Sequence, residues 1–361
     1  MPAPNRHPRT PSTPPPHRRL PARSRHDAAW RRRKRRRQNA ITLGLLAGIL
    51  LILALIIWGI TQLFRKPAAQ PESSSQIAVS TDASASSSSS TPVSEPAEED
   101  QWDYVTKTKA DLSTGDQILV NPDWEYTVVP PNLTPISTKM TTDYIVKNNE
   151  IELRDYVIPY LNEMMADFKE ATGISNVMIM SAYRSVDYQN GLYQNDLART
   201  GKSESDSVAK PGYSEHHTGF AIDLAYSDNG SWNYYDGSGD YGWINENCWK
   251  YGFVLRYPSD KQEITKIIYE PWHFRYLGLA HAEMMTKSSL CYEEYIEELK
   301  KHNVENPYTY TGESASYSVY YCPMGTETEI SIPVPKDKSY TISGSNEGGF
   351  IVTVTETTTE S

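Results

Sequence analysis

Two short segments hold the residues best suited to chemistry: SEHHTGFAID at 214–223 and EPWH at 270–273. They offer His216, Asp223 and His273 as metal ligands and Glu270 as a base. Two imidazoles and a carboxylate suit a catalytic zinc site, where three protein ligands leave a fourth position open. A carboxylate beside the metal can take the proton of the attacking water. His216 and Asp223 are seven residues apart, and on one unbroken strand such residues face opposite ways. A turn or bulge must intervene, and Thr218-Gly219 is where one can form. Asp223 would sit on the face opposite Phe220 and Ile222, and a buried carboxylate needs a partner, which a metal would supply. Trp272 can wall the cavity and exclude water. If Glu270 joined the inner shell, the site would close and be structural. Taken singly, Asp223 could pair with an arginine, and His216 and His273 could be satisfied core positions. As a set they favour a metal. His217 adjoins a proposed ligand and should point away from it. His281 and His302 read as ordinary polar positions on helices.

These residues need a scaffold. Leu153, Val157, Tyr160, Leu161, Met164, Phe168 and Ala171 follow helical spacing, with Gly173 as the stop and Pro159 marking a kink or a later start. Val177–Met180 reads as a buried strand, Ser185 as the cap of a helix through Leu197, and Phe220–Leu224 as a strand bearing a carboxylate. Residues 243–251 look helical up to Gly252, and Phe253–Tyr257 reads as a strand. Short strands interleaved with helices predict an α+β domain at 101–303. Beyond Pro307 the runs Tyr308–Tyr321, Glu329–Val334 and Phe350–Val354 are β-rich, which predicts a small β appendage and tail at 304–361. Cys248 lies on the Ile244–Cys248–Tyr251 stripe and reads as a small buried hydrophobe. A Cys291–Cys322 bridge is an open alternative.

The net charge of −10 conceals two opposite parts. Residues 1–66 carry 15 Lys/Arg against the single acid Asp27, a balance of +14, while the remainder carries −24. Residues 1–39 are a Pro/Arg-rich tail too poor in apolar side chains to build a core. Ala40 to Phe64 follows as 25 residues without a charge. As a helix it would span about 37 Å, enough to cross a bilayer. Arg31–Arg37 abut its start and only Arg65 and Lys66 follow, so the N-terminus is expected in the cytoplasm and the body outside. Beside a membrane span, the basic run reads as a topology signal rather than a nucleic-acid patch. Residues 65–100 are a Ser/Pro-rich linker with a coil reach of roughly 30–35 Å.

SEHHTGFAID matches the SxHxxGxAxD signature of VanY-like zinc D-alanyl-D-alanine carboxypeptidases, and EPWH resembles the family's Glu and Trp-His element. SAYRS at 181–185 and YGFVLRYP at 251–258 also resemble the family, in its order, over roughly 120–300. His217 departs from the more usual Gln. The resemblance implies a compact α+β peptidase with a central antiparallel sheet flanked by helices and flooring a one-zinc cleft. It implies His216, Asp223 and His273 on zinc, and Glu270 as general base and acid. It also implies that Arg184 binds and polarises the substrate near the scissile carbonyl. Gln189 resembles a position that holds the substrate's terminal carboxylate, and Ser214 one that supports the substrate or metal shell; Trp272, on its residue type and place alone, again reads as a wall of the substrate cavity. The expected function is a membrane-anchored peptidase of the bacterial cell-wall zone that removes the last D-alanine of peptidoglycan stem peptides. The alternatives are an L,D-carboxypeptidase acting on tetrapeptide stems and a wall-binding module with structural zinc. Glu270 weighs against the last, since binding needs no base.

Overall fold

The computed structural model describes residues 101–205, 207–228, 230–313 and 315–358, within one compact unit spanning Pro92–Ser361. The tail expected at 1–39, the membrane helix at 40–64 and the linker at 65–100 lie outside the described residues. Among the described residues no helix is long and apolar enough to cross a membrane.

The strands are β1 (Trp102–Thr108), β2 (Leu133–Pro135), β3 (Ile145–Val146), β4 (Glu152–Arg154), β5 (Val177–Ser181), β6 (Ala221–Asp228) and β7 (Ser231–Tyr234), then β8 (Phe253–Leu255), β9 (His273–Tyr276), β10 (Tyr308–Thr311), β11 (Ala315–Pro323), β12 (Glu329–Pro335), β13 (Tyr340–Gly344) and β14 (Gly349–Thr358). The helices are α1 (Ile158–Thr172), α2 (Val186–Thr200), α3 (Gly242–Asn247), α4 (Gln262–Thr265), α5 (Leu279–Lys287) and α6 (Tyr292–Leu299).

The first long helix starts later than its apolar stripe. Leu153 belongs to β4 and Val157 to a 3-10 turn, so Pro159 sits in the first helical turn, where its missing N–H breaks no bond. Leu161, Met164, Met165 and Phe168 are fully buried, and Gly173 ends the helix with φ 74°. Ser185 caps α2 by accepting the Tyr188 N–H at 3.1 Å, and the helix runs on to Thr200.

The main sheet has the order β3-β5-β6-β9-β8, with β7 also on β6. Its pairs are antiparallel except β3–β5, which is parallel because α1 carries the chain back across the sheet between them. Ile179, Ile222 and Phe274 share one core with α1. Asp223 and His273, each one residue from that apolar set, point to the opposite face.

The C-terminal strands form a second antiparallel sheet, β10-β11-β14-β13. Pairing and packing both cross the boundary expected at 303/304. β1 pairs with β12 over seven residues, from Trp102↔Pro335 to Thr108↔Glu329. Tyr295, Ile296 and Leu299 of α6 share a core with Val319, Tyr321 and Ile351 of the second sheet. These strands need the helices to cover their apolar face. All three cysteines are free thiols, so no bridge joins Cys291 to Cys322. Cys248 is buried, which pushes its thiol up to about 12.

Candidate metal centre and cleft

The ladder between β6 and β9 sets Asp223 directly opposite His273. His216 comes from a 3-10 turn, Glu215–Thr218, just before β6. Gly219 closes that turn with φ 71°, and a Cβ there would lie 2.9 Å from Leu133 Cδ2. The break foreseen at Thr218-Gly219 therefore needs a glycine. Ligand atoms of His216, Asp223 and His273 all lie within 4.8 Å of one another. His216 Nε2 is 3.2 Å from Asp223 Oδ2, and His273 Nδ1 is 3.1 Å from Asp223 Oδ1. Glu270 Oε2 is 3.6 Å from His273 Nδ1.

The outer partners assign the tautomers. His216 Nδ1 lies 2.6 Å from the Ala182 carbonyl, so it donates there and leaves a lone pair on Nε2. His273 Nε2 faces Glu215 Oε2 at 3.4 Å, which places its N–H on that side and leaves Nδ1 toward Asp223. Three acceptors thus converge, and neither His216 Nε2 nor Asp223 Oδ1 has a hydrogen-bond partner among the described residues. Buried acceptors that face one another need a cation between them. Two imidazole nitrogens and a carboxylate fit zinc in kind and number.

Charge tells the same story. Burial lowers His216 to about 4 and keeps it neutral. Burial also opposes charge on His273, but the carboxylates of Asp223 and Glu215 beside the ring outweigh it and hold it up at about 9. Burial would raise Asp223, yet His216, His273 and Arg184 keep it well below the carboxylate range. The cluster draws positive charge, of which a proton on His273 is the smallest form. Glu270 differs: burial dominates and raises it to about 7, where a carboxylate can both take and return a proton.

A cleft of about 860 Å³ opens over these groups, and Arg184, Gln189, Ser214, Glu270 and Trp272 line it. The SAYRS segment forms one side. Ser181 pairs with Asp223 in the β5–β6 ladder, the Ala182 carbonyl fixes His216, and Arg184 Nη2 donates to Asp223 Oδ2 at 3.2 Å. Arg184 Nη1 donates to Gln189 Oε1 at 2.9 Å, and its buried Nε has no partner among the described residues. Gln189 Nε2 donates to the Ala209 carbonyl at 2.8 Å, so both ends of this amide already serve protein groups. In this arrangement Gln189 orients Arg184 rather than offering a free group to a carboxylate. Ser214 is nearly buried beside the ligand turn, and half-buried Trp272 packs against the main core.

Other residues at the site carried no signal that assigned them a role. Glu215 is wholly buried; Oε1 accepts from Arg256 Nε at 2.8 Å and from Arg275 Nη1 at 3.0 Å. Burial would raise its carboxyl, but the two guanidiniums hold it far below the usual range. The available hint was an arginine in apolar company inside each of VLRYP and HFRY, and an acid next to the proposed ligand His216. His217 Nδ1 contacts the Arg184 carbonyl at 2.7 Å while Nε2 accepts the Gly212 N–H at 3.0 Å, which secures the loop beneath Arg184. The ring of Tyr257 lies 4.8 Å from that of His273 and also lines the cleft.

The family model described as VanY, D-alanyl-D-alanine carboxypeptidase, matches residues 150–279. A D-alanyl-D-alanine carboxypeptidase of Enterococcus faecium is 33% identical over 253 residues, which is 69% of this chain and 78% of the relative. The chain belongs to the VanY D-alanyl-D-alanine carboxypeptidase family. A second VanY-like relative is the bifunctional D-Ala-D-Ala dipeptidase and D-Ala-D-Ala carboxypeptidase VanXYC of Enterococcus gallinarum. It is 36% identical over 146 residues, 39% of this chain and 77% of its own. Among solved structures, the vancomycin resistance D,D-dipeptidase VanXYg, in complex with a D-Ala-D-Ala phosphinate analog, superposes with a TM-score of 0.63. That match has 28% identity and covers 71% of this chain and 99% of VanXYg. The mixed α/β fold is thus that of the VanX/VanY peptidases.

Proposed function

We propose that this VanY-family chain is a zinc-dependent D,D-carboxypeptidase that removes the C-terminal D-alanine of peptidoglycan stem peptides from a membrane anchor at residues 40–64. The observation that carries the reading is the convergence of three acceptor groups, within 4.8 Å, beside a carboxyl raised to about 7. His216, Asp223 and His273 would hold the zinc. Bound zinc would supply a Lewis acid that polarises the scissile carbonyl and makes hydroxide available at neutral pH. Glu270 takes the proton from the attacking water and returns it to the leaving amine. Arg184, its buried Nε unpaired among the described residues, presents positive charge toward the cleft where negative charge develops on the carbonyl oxygen. Trp272 and Tyr257 keep bulk water from the reacting groups. The phosphinate-bound relative supports a D-Ala-D-Ala substrate. The charge-free run Ala40 to Phe64, flanked by Arg31–Arg37, supports the anchor and an extracytoplasmic body.

The test is to incubate the purified full chain with penta- and tetrapeptide stems, with and without a chelator. Release of one alanine from the pentapeptide, stopped by the chelator, is expected. Release from the tetrapeptide alone would replace this reading with an L,D-carboxypeptidase. Protease shaving of intact cells should remove the body, and protection of the body would overturn the topology.

A further inference from the structure

Behind His273 lies a buried ionic chain that leads away from the cleft. Glu215 accepts from His273 on one oxygen and from Arg256 and Arg275 on the other. Arg256 extends the chain with two bonds to Glu293, Nη1 to Oε2 at 2.9 Å and Nη2 to Oε1 at 2.6 Å. Asn121 Nδ2 adds a donor to Glu293 Oε1 at 3.2 Å. Arg275 donates in addition to the carbonyls of Asp116, Ile118 and Tyr276. Two arginines balance two glutamates, so the chain is neutral in itself, and Glu215 can accept from His273 without an uncompensated charge.

Glu293 stands in the first turn of α6, the helix seated on the second sheet. His281 on α5 joins the same layer, with Nδ1 2.7 Å from the Tyr295 hydroxyl and Nε2 2.7 Å from Thr353 Oγ1 of β14. Two of the carbonyls that accept from Arg275, those of Asp116 and Ile118, belong to a segment tied to the C-terminal strands too. The Leu119 N–H donates to the Ser345 carbonyl at 3.0 Å, and Asn346 Nδ2 donates to the Leu119 carbonyl at 3.1 Å. A helix that merely linked two modules would have no need of a bidentate ion pair to the interior of the first.

We propose that α6, the helix seated on the C-terminal sheet, braces the metal centre. Through α6, Glu293 and Arg256 hold Glu215 in place, and Glu215 fixes the tautomer and orientation of His273. Glu215, Arg256 and Glu293 are positioning residues, and the proposal rests on the reading of His273 as a metal ligand. Such outer partners raise ligand basicity and commonly change metal affinity 10–100-fold.

The test uses the full chain and zinc, with affinity read by competition against a chromophoric chelator. Glu215→Gln should weaken zinc binding about 10–100-fold. Glu293→Gln should weaken it less, and the double variant should lose less than the product of the two, because both act through one histidine. Val352→Ala, in the separate core shared by β1, β12 and the second sheet, should lower the melting temperature and leave zinc affinity unchanged. Zinc affinity of Glu215→Gln and Glu293→Gln within twofold of the parent, in folded protein, would overturn the brace. Nitrogen-15 NMR of the unsubstituted protein needs no variant. It should find His273 protonated at Nε2 with Nδ1 on zinc, and the reverse tautomer would overturn the proposal even if both variants fail to fold. Undiminished zinc binding by His273→Ala would instead refute the ligand reading itself.

Discussion

Two glutamates flank one imidazole and have opposite properties. Glu215 reaches His273 Nε2 at 3.4 Å, and Glu270 approaches Nδ1 at 3.6 Å. Both are largely removed from water. Glu215 has two guanidiniums at hydrogen-bond distance and is held ionised, whereas Glu270 has none within that reach among the described residues and is raised to about 7. The side chain is the same, so its surroundings decide its work. A carboxylate with fully matched donors is a structural anchor, and one left short of donors can exchange a proton.

That contrast can be broken or sharpened by experiment. Removing the metal with a chelator, or one ligand with His216→Ala, should abolish turnover; hydrolysis that persists in either would dissolve the site. Glu270→Gln should keep zinc and lower kcat about 10²–10⁴-fold, as single-turnover kinetics would show. In chelator, this variant should unfold at no lower denaturant concentration than the parent, since it neutralises a carboxyl that burial penalises. Glu215→Gln should behave oppositely on stability and cost about 3–5 kcal/mol, because it strips compensation from buried arginines; urea titration gives the value. Acid should expose the same asymmetry. The folded pKa of Glu215 is depressed, so its contribution is complete above its ordinary value of 4.5 and is lost as pH falls below that. Glu215→Gln should therefore show a shallower loss of stability below pH 4.5 than the parent. The smallest effect is expected from Gly219→Ala, which strains φ 71° and crowds Leu133, at somewhat more than about 1 kcal/mol.

The four groups of the proposed centre were legible in the sequence because each stands in a short segment with its neighbours. The break at Gly219 followed from strand alternation alone, and α1 and β5 from apolar spacing. What stayed hidden depends on pairing between distant segments. Glu215 meets Arg256 and Arg275 only because the turn before β6 and the strands β8 and β9 are brought together, and no local pattern encodes that. The union of β1 with β12 is hidden for the same reason, so the C-terminal strands read as an appendage. By resemblance Gln189 reads as a holder of the substrate's terminal carboxylate, and the Ala209 carbonyl that occupies its amide comes from a loop with no periodicity.

The pairing of Asp223 with His273 across one rung of the ladder also bears on how such a protein can vary. One residue inserted into β6 or β9 would turn one of the two side chains to the other face of the sheet. Homologues are therefore expected to keep these strands free of insertions and deletions and to place their length differences in the connections between them. The spacing from Asp223 to Glu270 can then drift from one relative to another, while that from Glu270 to His273 stays constant.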